Sequence, residues 1–589
     1  MVDKVQENKV SLGGNIWRMA EVDEAWCERV VQAYGVANPI AKLLYIRGVN
    51  FADVPNFLQP RLKDWMPDPY ELKDMQRAAK RVAEAVMKGE KIAIIGDYDV
   101  DGATSTAELV RFLSALDIET VIHIPTREEG YGPNEVAFNE FEAANARLVI
   151  TIDCGTTAFE VLNNASARGF EIIVLDHHEA EAVLPNVYAV VNPKRIDEEN
   201  SYKYLEYMSA VGVGFMFLVA VNRLLRQQGF YSQHNEPDLM NLLDLVALGT
   251  VCDVVPLRGL NRAYVVQGLK IMAKQQNFGL KQLMRVAKME TAPRAYHLGF
   301  ILGPRINACG RVGDAALGSR LLFTQDENEA ERLALKFDAL NGERKDIENY
   351  VLLAAIEQVE SQTQEYPIVF AYGKDWHQGV IGIVAGKLRE RYNLPAFVMS
   401  IEGDEVKGSA RSVEGVDLGA LIIAARENGV ITGGGGHMMA AGFSLTEEQI
   451  EPFKKFVGEY VLKHIGTEKI VPTLNIDSAV SLMAVNVDFA AELTKLEPYG
   501  TENPEPQILL PNVIITRPRI IGSGHVSCFL TSANGAVLLA IAFRCADNEI
   551  GQALLSNSGE VYDVVGHIKL DVWQGRQKVQ MIINDIMRK

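Results

Sequence analysis

The chain has 589 residues, 48% of them hydrophobic and 23% charged, a composition that suits an ordinary globular protein of roughly three to five domains. Its formal net charge of −18 excludes a generally basic, nucleic-acid-coating protein, so any phosphate would have to be met by local cation clusters or bound metal. Six scattered cysteines with no C-x-x-C pair exclude a disulfide framework and a thiolate zinc site. The sequence has neither a signal-like start nor a run of about eighteen uncharged apolar residues, so a cytoplasmic protein with no membrane contact is expected.

In chain order, residues 1–75 read as a helical, then proline-punctuated lead-in. From residue 76 a βα rhythm sets in: helix "RAAKRVAEAVMKG", strand "KIAIIG", helix "STAELVRFLSALD", strand "RLVITIDCG", helix "TAFEVLNNASARG" and strand "EIIVLDHHE". Short apolar runs alternating with helices of about twelve residues predict parallel strands with right-handed crossovers, a doubly wound α/β domain over 76–324. A polar amphipathic stretch over 325–362 reads as a connecting helix. An α/β pattern restarts over 363–466 and includes the glycine tract "TGGGGHMMAAGF". Over 467–589 the strands become short and frequent, as in a small β-barrel.

The stretch "GDYDVDG" places Asp97, Asp99 and Asp101 directly behind an apolar strand. Carboxylates that close raise one another's pKa and destabilise the fold unless a cation lies between them. In a doubly wound sheet, ligands bind outside the carboxyl ends of the strands. Each of the first three strands carries acid or imidazole there: the three aspartates, then Asp153, then Asp176, His177 and His178. Asp253 follows the helix "LLDLVALGTVCDVV". Carboxylates with imidazole and no thiolate favour Mn²⁺ or Mg²⁺, and so many acids suit two ions a few ångströms apart, with one carboxylate bridging. Opposite such ions a phosphodiester substrate needs cations and donors. The candidates are Arg127, Arg305, Arg311, Ser409, Arg411, His437 and the backbone amides of Gly433 to Gly436.

These residues resemble the DHH phosphoesterase superfamily and, within it, the RecJ single-stranded-DNA exonucleases. "GDYDVDG", "TIDCG", "LDHHE" and "ALGTVCDVVPL" match its motifs in order. "LGPRINACGRVGDA", "WHQGVIGIVAGKL", "GSARS" and "TGGGGHMMAAG" match its second, DHHA1-type lobe, and "LEPYGTENPEPQ" resembles the entry to an oligonucleotide-binding (OB) barrel. The resemblance implies two lobes with parallel sheets joined by a long helix, followed by an OB-type barrel. It implies a 5′→3′ exonuclease that threads single-stranded DNA between the lobes and releases 5′-mononucleotides with two Mn²⁺ or Mg²⁺ ions, in recombination and repair.

By motif, the metal ligands would be Asp99, Asp101, Asp153, His177 and Asp253, with Asp97 in or beside that shell and His178 at the scissile phosphate. Asn307 and His377 join the phosphate- and DNA-facing residues. Single-strand-binding protein and a RecQ-type helicase become candidate partners of a monomer. Tyr499 and Glu502 depart from the Phe and Gly usual at the barrel entry. A small oligoribonucleotide or cyclic-dinucleotide phosphodiesterase lacks the trailing barrel, and a silent replication scaffold loses the acids that are present here.

Overall fold

A computed structural model describes residues 9–126, 129–199, 201–363, 365–466, 471–556, 559–573 and 576–589, without the side chains of 572, 573 and 576. By contact density the chain divides into two compact units: Met1–Gly310, Asp314–Leu335 and Thr473–Lys589 form one, and Arg311–Gly313 with Lys336–Pro472 the other.

In the first unit, five short strands rich in Ile and Val form an all-parallel sheet in the order Thr120–His123, Ile92–Ile95, Leu148–Ile152, Glu171–Leu175, Ala189–Val191. Burial on both faces explains their unbroken apolar runs. One face packs on helices Met75–Lys88, Val100–Ser114 and Ala210–Gln227, the other on Phe138, Phe141, Leu162 and Phe170. Helix Ala210–Gln227 is long and apolar enough to cross a membrane, yet it is mostly buried as the central helix of this core. The strand order reverses between Ile92–Ile95 and Leu148–Ile152, and a doubly wound sheet opens a crevice at such a reversal.

The second unit begins within a 35-residue helix, Glu327–Ser361. Its sheet runs Gly433–His437, Ala440–Thr446, Glu405–Arg411, Ala396–Glu402, Val369–Lys374. Here the expected parallel arrangement holds for one pair, Val369–Lys374 with Ala396–Glu402. The other pairs are antiparallel, because a tight turn at Gly403 (φ 60°) and the hairpin after His437 fold the chain straight back. The glycine tract is an edge strand of this sheet and not a loop.

The C-terminal strands Ile508–Ile521, His525–Thr531, Val537–Ala542, Arg576–Arg588 and Val561–Trp573 pair in that cyclic order, and the last returns to the first. The sheet thereby closes into a five-stranded barrel with no free edge. The lead-in is structurally part of this barrel. Helices Glu24–Tyr34 and Asn38–Ile46 share one apolar core with it, bringing Cys27, Val30, Ile40 and Leu44 against residues such as Leu510 and Val564. Strand Ile16–Met19 pairs in parallel with Thr473–Ile476. The fully buried Asp585 is satisfied by Ser11 Oγ, the Gly13 amide, Asn15 Nδ2 and Trp17 Nε1.

The entry motif wraps two buried guanidiniums. Arg47 donates to Asn503 Oδ1 and the Pro504 carbonyl, and Arg262 to the carbonyls of Phe57 and Glu497. At the two departures from the family pattern, Tyr499 donates its hydroxyl to the Leu493 carbonyl and Glu502 pairs with Arg258 at 2.7 Å.

Candidate metal centre and phosphate-facing residues

Two glycines let the Asp-rich loop fold tightly over the end of strand Ile92–Ile95. A Cβ on Gly96 would fall 2.0 Å from Thr106 Oγ1, and one on Gly102 would fall 2.5 Å from the Asp97 carbonyl oxygen. Asp99 caps helix Val100–Ser114 by accepting the Gly102 amide at 3.0 Å. The buried Asp101 carboxylate accepts the Ala210 and Val211 amides at 2.6 and 3.1 Å, at the positive end of helix Ala210–Gln227. Asp153 ends its strand in the left-handed region (φ 62°). The hydroxyl of Tyr131 holds the Asp153 carbonyl at 2.7 Å and lies 3.2 Å from His178 Nδ1.

His177 Nε2 lies 3.3 Å from Asp153 Oδ1, 3.6 Å from Asp253 Oδ2 and 3.9 Å from Asp101 Oδ2. Asp176 takes a supporting position: it accepts the Thr156 and His177 amides and His178 Nδ1, the last at 2.8 Å. Burial opposes its charge, but the hydrogen bond and charge of His178, then Thr156 and His177, hold its carboxyl well below the ordinary range. His178 is half-exposed; although burial disfavours its charge, Asp176 raises its pKa.

Three other acids of the cluster move the other way. Burial first, then mutual repulsion, pushes up Asp101, Asp153 and Asp253. Glu108, two turns beyond Asp101 on the same helix, is fully buried with neither carboxylate oxygen hydrogen-bonded, and burial and Asp101 push its pKa well up.

The residues fit divalent cations. His177 Nδ1 and Asp253 Oδ2 are buried without a hydrogen-bond partner. Three sets of potential ligands bring their donor atoms within 4.8 Å of one another: Asp97, Asp99 and Asp153; Asp101, His177 and Asp253; Asp153, His177 and His178. The sets interlock, with Asp153 and His177 each in two, as a pair of adjacent ions requires. The donors are hard oxygens with imidazole. Cys154 and Cys252, beside two of the acids, are thiols that burial keeps protonated, and Cys252 Sγ points to the Leu298 carbonyl.

The phosphate-facing candidates are dispersed. Arg127 lies outside the described residues. Arg305 and Asn307 lie on helix Gly303–Val312, which packs on the Asp-rich loop where Gly310 meets the Tyr98 carbonyl, and Arg305 donates to the Ile301 carbonyl. The second unit gathers its own group. Ser409 and Arg411 share strand Glu405–Arg411 with Arg411 Nη1 3.1 Å from Ser409 Oγ, and a Cβ on Gly382 would approach both at 3.1 Å. No carboxylate pairs with Arg411 among the described residues, although burial and then Arg389 lower its pKa. His377 caps helix Gln378–Tyr392 through Nδ1, Arg311 donates to the Gly379 carbonyl, and His437 ends the exposed glycine strand. Tyr131 and Glu108 escape sequence reasoning: a tyrosine between glycines and an acid amid "STAELVRF" carry no spacing signal.

The fold and its carboxyl-edge cluster define a DHH-type phosphoesterase. Family models agree: the DHH family N-terminal domain matches residues 91–250, the DHHA1 domain 365–463 and the RecJ OB domain 476–585. The chain is 33% identical over 575 residues to the single-stranded-DNA-specific exonuclease RecJ of Bacillus subtilis, covering 97% of this chain and 70% of that one. It is 34% identical to RecJ of Escherichia coli, covering 93% and 96%. The solved structure of Thermus thermophilus RecJ in complex with Mn²⁺ superposes with a TM-score of 0.80 at 29% identity, covering 97% of this chain and 79% of that one. The chain belongs to the RecJ family of single-stranded-DNA-specific exonucleases.

Proposed function

We propose that this protein hydrolyses single-stranded DNA from the 5′ end to 5′-mononucleotides with two divalent ions, Mn²⁺ or Mg²⁺, in recombination and repair. The carrying observation is the interlocked ligand sets around Asp153 and His177 at the switch point of a RecJ-family sheet. One ion would be held by Asp97, Asp99 and Asp153, the other by Asp101, His177 and Asp253, with Asp153 the best candidate to bridge. Bound there, the ions would lower the pKa of a water nucleophile and neutralise charge on the phosphate.

The chain's own groups do the rest. Asp176 binds the Nδ1 proton of His178 and favours the charged ring, so Nε2–H, with the Tyr131 hydroxyl 3.4 Å away, could donate to a phosphate oxygen or to the departing 3′ oxygen. Tyr131 fixes the backbone of Asp153 beside that ring. Ser409 and Arg411 combine a hydroxyl with a planar fork, chemistry suited to a terminal phosphate, which carries more charge than an internal one. Single-strand-binding protein and a RecQ-type helicase suit such a role as partners, and a monomer carries every residue it needs.

The test is degradation of end-labelled single-stranded DNA and RNA with Mn²⁺, Mg²⁺ or EDTA, products resolved by length. Mononucleotides should accumulate from a 5′-labelled DNA strand at once, while a 3′-labelled strand shortens as a ladder, and EDTA should stop both. Shortening from the 3′ terminus, or undiminished activity in EDTA, overturns the reading.

A further inference from the structure

A cavity of about 1090 Å³ in the first unit is lined by Cys252 and Val254, the neighbours of Asp253, and by the barrel residues Lys569 and Leu570. Two large aromatic side chains in its wall are open to solvent: Tyr296 is 62% exposed and Phe300 is 72% exposed. Their rings stack on one another at 5.1 Å with an interplanar angle of 26°. Leaving two such rings in water forgoes burial that an ordinary core helix would exploit. The segment Leu298–Leu302 is a π-helical turn, which buries Leu298 and Leu302 completely while Phe300 stays outside. Single π turns recur at functional sites.

The segment is also fixed relative to the acidic cluster. The Leu298 carbonyl accepts Cys252 Sγ, and a Cβ on Gly303 would come 2.5 Å from that sulfur, so the turn carrying Phe300 is pressed against the residue next to Asp253. The charges of the cavity exclude a phosphate cradle. Arg294 lies 3.8 Å from Glu497 and Lys569 2.5 Å from Glu505, and Glu290 and Asp571 remain as acids in the wall. A ligand here would have to be held by the ring faces, with any negative charge of its own left in solvent.

We propose that Tyr296 and Phe300 form a stacking platform for unpaired nucleobases of the strand that trails from the metal centre. The inference rests on the reading of this protein as a single-strand exonuclease. It adds a binding site whose contribution is stacking and therefore nearly independent of salt, since base–aromatic stacking tolerates any sequence and neutralises no phosphate.

The test uses the full chain with Mn²⁺ and oligonucleotides of 3 and 20 nucleotides. Wild type must first degrade the 20-mer; if it does not, the functional reading and this inference both fall. Given that activity, Phe300→Ala and Tyr296→Ala should each raise KM for the 20-mer by about 5- to 150-fold, the loss of roughly one base stack. KM for the 3-mer should move much less, and Phe300→Trp should restore the 20-mer. The slope of log KM against log salt should stay that of wild type. A 20-mer with abasic sites beyond its first three nucleotides should bind wild type and Phe300→Ala alike. If Phe300→Ala leaves KM for the 20-mer unchanged, or weakens intact and abasic strands equally, the platform is disproved and the activity reading stands.

Discussion

The two units handle charge in opposite ways. In the first, acids are buried and crowded, so that burial first and their mutual repulsion second raise the pKa of Asp101, Asp153 and Asp253, and a cation between them would relieve both. In the second, Arg411 and Ser409 stand on a strand beside a glycine that keeps the neighbouring helix from covering them, and no acid among the described residues neutralises the arginine. The first unit gathers ligands that could hold positive ions, and the second presents an arginine and a hydroxyl that, on the proposed reading, meet an anion. A metal-dependent phosphodiesterase needs both, and the two halves should fail differently when damaged.

The largest effect is expected in the first unit. Asp153→Ala removes the residue shared by two ligand sets, so kcat should fall by roughly a thousandfold or more. Binding of single-stranded DNA, measured by fluorescence anisotropy, should survive. Near-normal turnover would remove the distinction between the units, because the crowded acids would then be structural.

Arg411→Ala should break the other half. Removing one charged partner of a phosphate contact costs about 2–5 kcal/mol, or roughly 30- to several-thousand-fold. The loss should appear as a vanished preference for 5′-phosphorylated over 5′-hydroxyl strands, with Mn²⁺ dependence intact. An equal loss in an unrelated surface arginine variant would show the effect to be general electrostatics.

A milder change sharpens the comparison. Tyr131→Phe deletes one hydroxyl and leaves the Asp153 carbonyl without its donor, a loss of about 1–3 kcal/mol for a buried acceptor. The kcat should drop by roughly 5- to 150-fold and Mn²⁺ affinity, followed by calorimetry, should weaken, while KM for DNA changes little. A KM effect with preserved kcat would mean that the hydroxyl serves DNA binding and not the placement of Asp153.

The sequence discloses the two halves unequally. The metal cluster is legible because a parallel sheet delivers every strand end to one edge, so Asp97 to Asp101, Asp153 and His177 converge once the βα rhythm is read. The supports are not: Tyr131 reaches Asp153 across 22 residues and nothing in "EEGYG" announces it. Strand Ile16–Met19 finds its partner more than 450 residues away, so the lead-in gives no sign that it completes the barrel unit. In "AYHLGFIL" no spacing signal sets the buried Leu298 and Leu302 apart from the exposed Phe300, which the π turn Leu298–Leu302 separates. In the second unit, cations and glycines have too many ordinary uses for spacing to assign them. The mixed sheet there follows from turns that propensity alone does not orient.

The smallest effect separates the units by pH alone. Burial, followed by neighbouring charge, raises Asp253 to about 7 and Asp101 to about 8, against roughly 4 for a free carboxyl. The folded, metal-free protein therefore keeps protons that the unfolded chain has already released, and this contribution to stability is complete below about pH 4 and is lost as pH rises through 7 and 8. In EDTA, the melting transition of the first unit should fall by about 2–5 °C between pH 6 and pH 9. Mn²⁺ should reverse that slope, because a cation binds the deprotonated ligands and its stabilisation grows as competing protons leave. Arg411 and Ser409 gain or lose no proton in this window, so a transition assigned to the second unit should not follow the same course. Scanning calorimetry at several pH values, with and without Mn²⁺, decides it. A metal-free melting temperature that rises from pH 6 to pH 9 would mean that the acids are not crowded enough to need a cation, and the contrast between the two units would lose its physical basis.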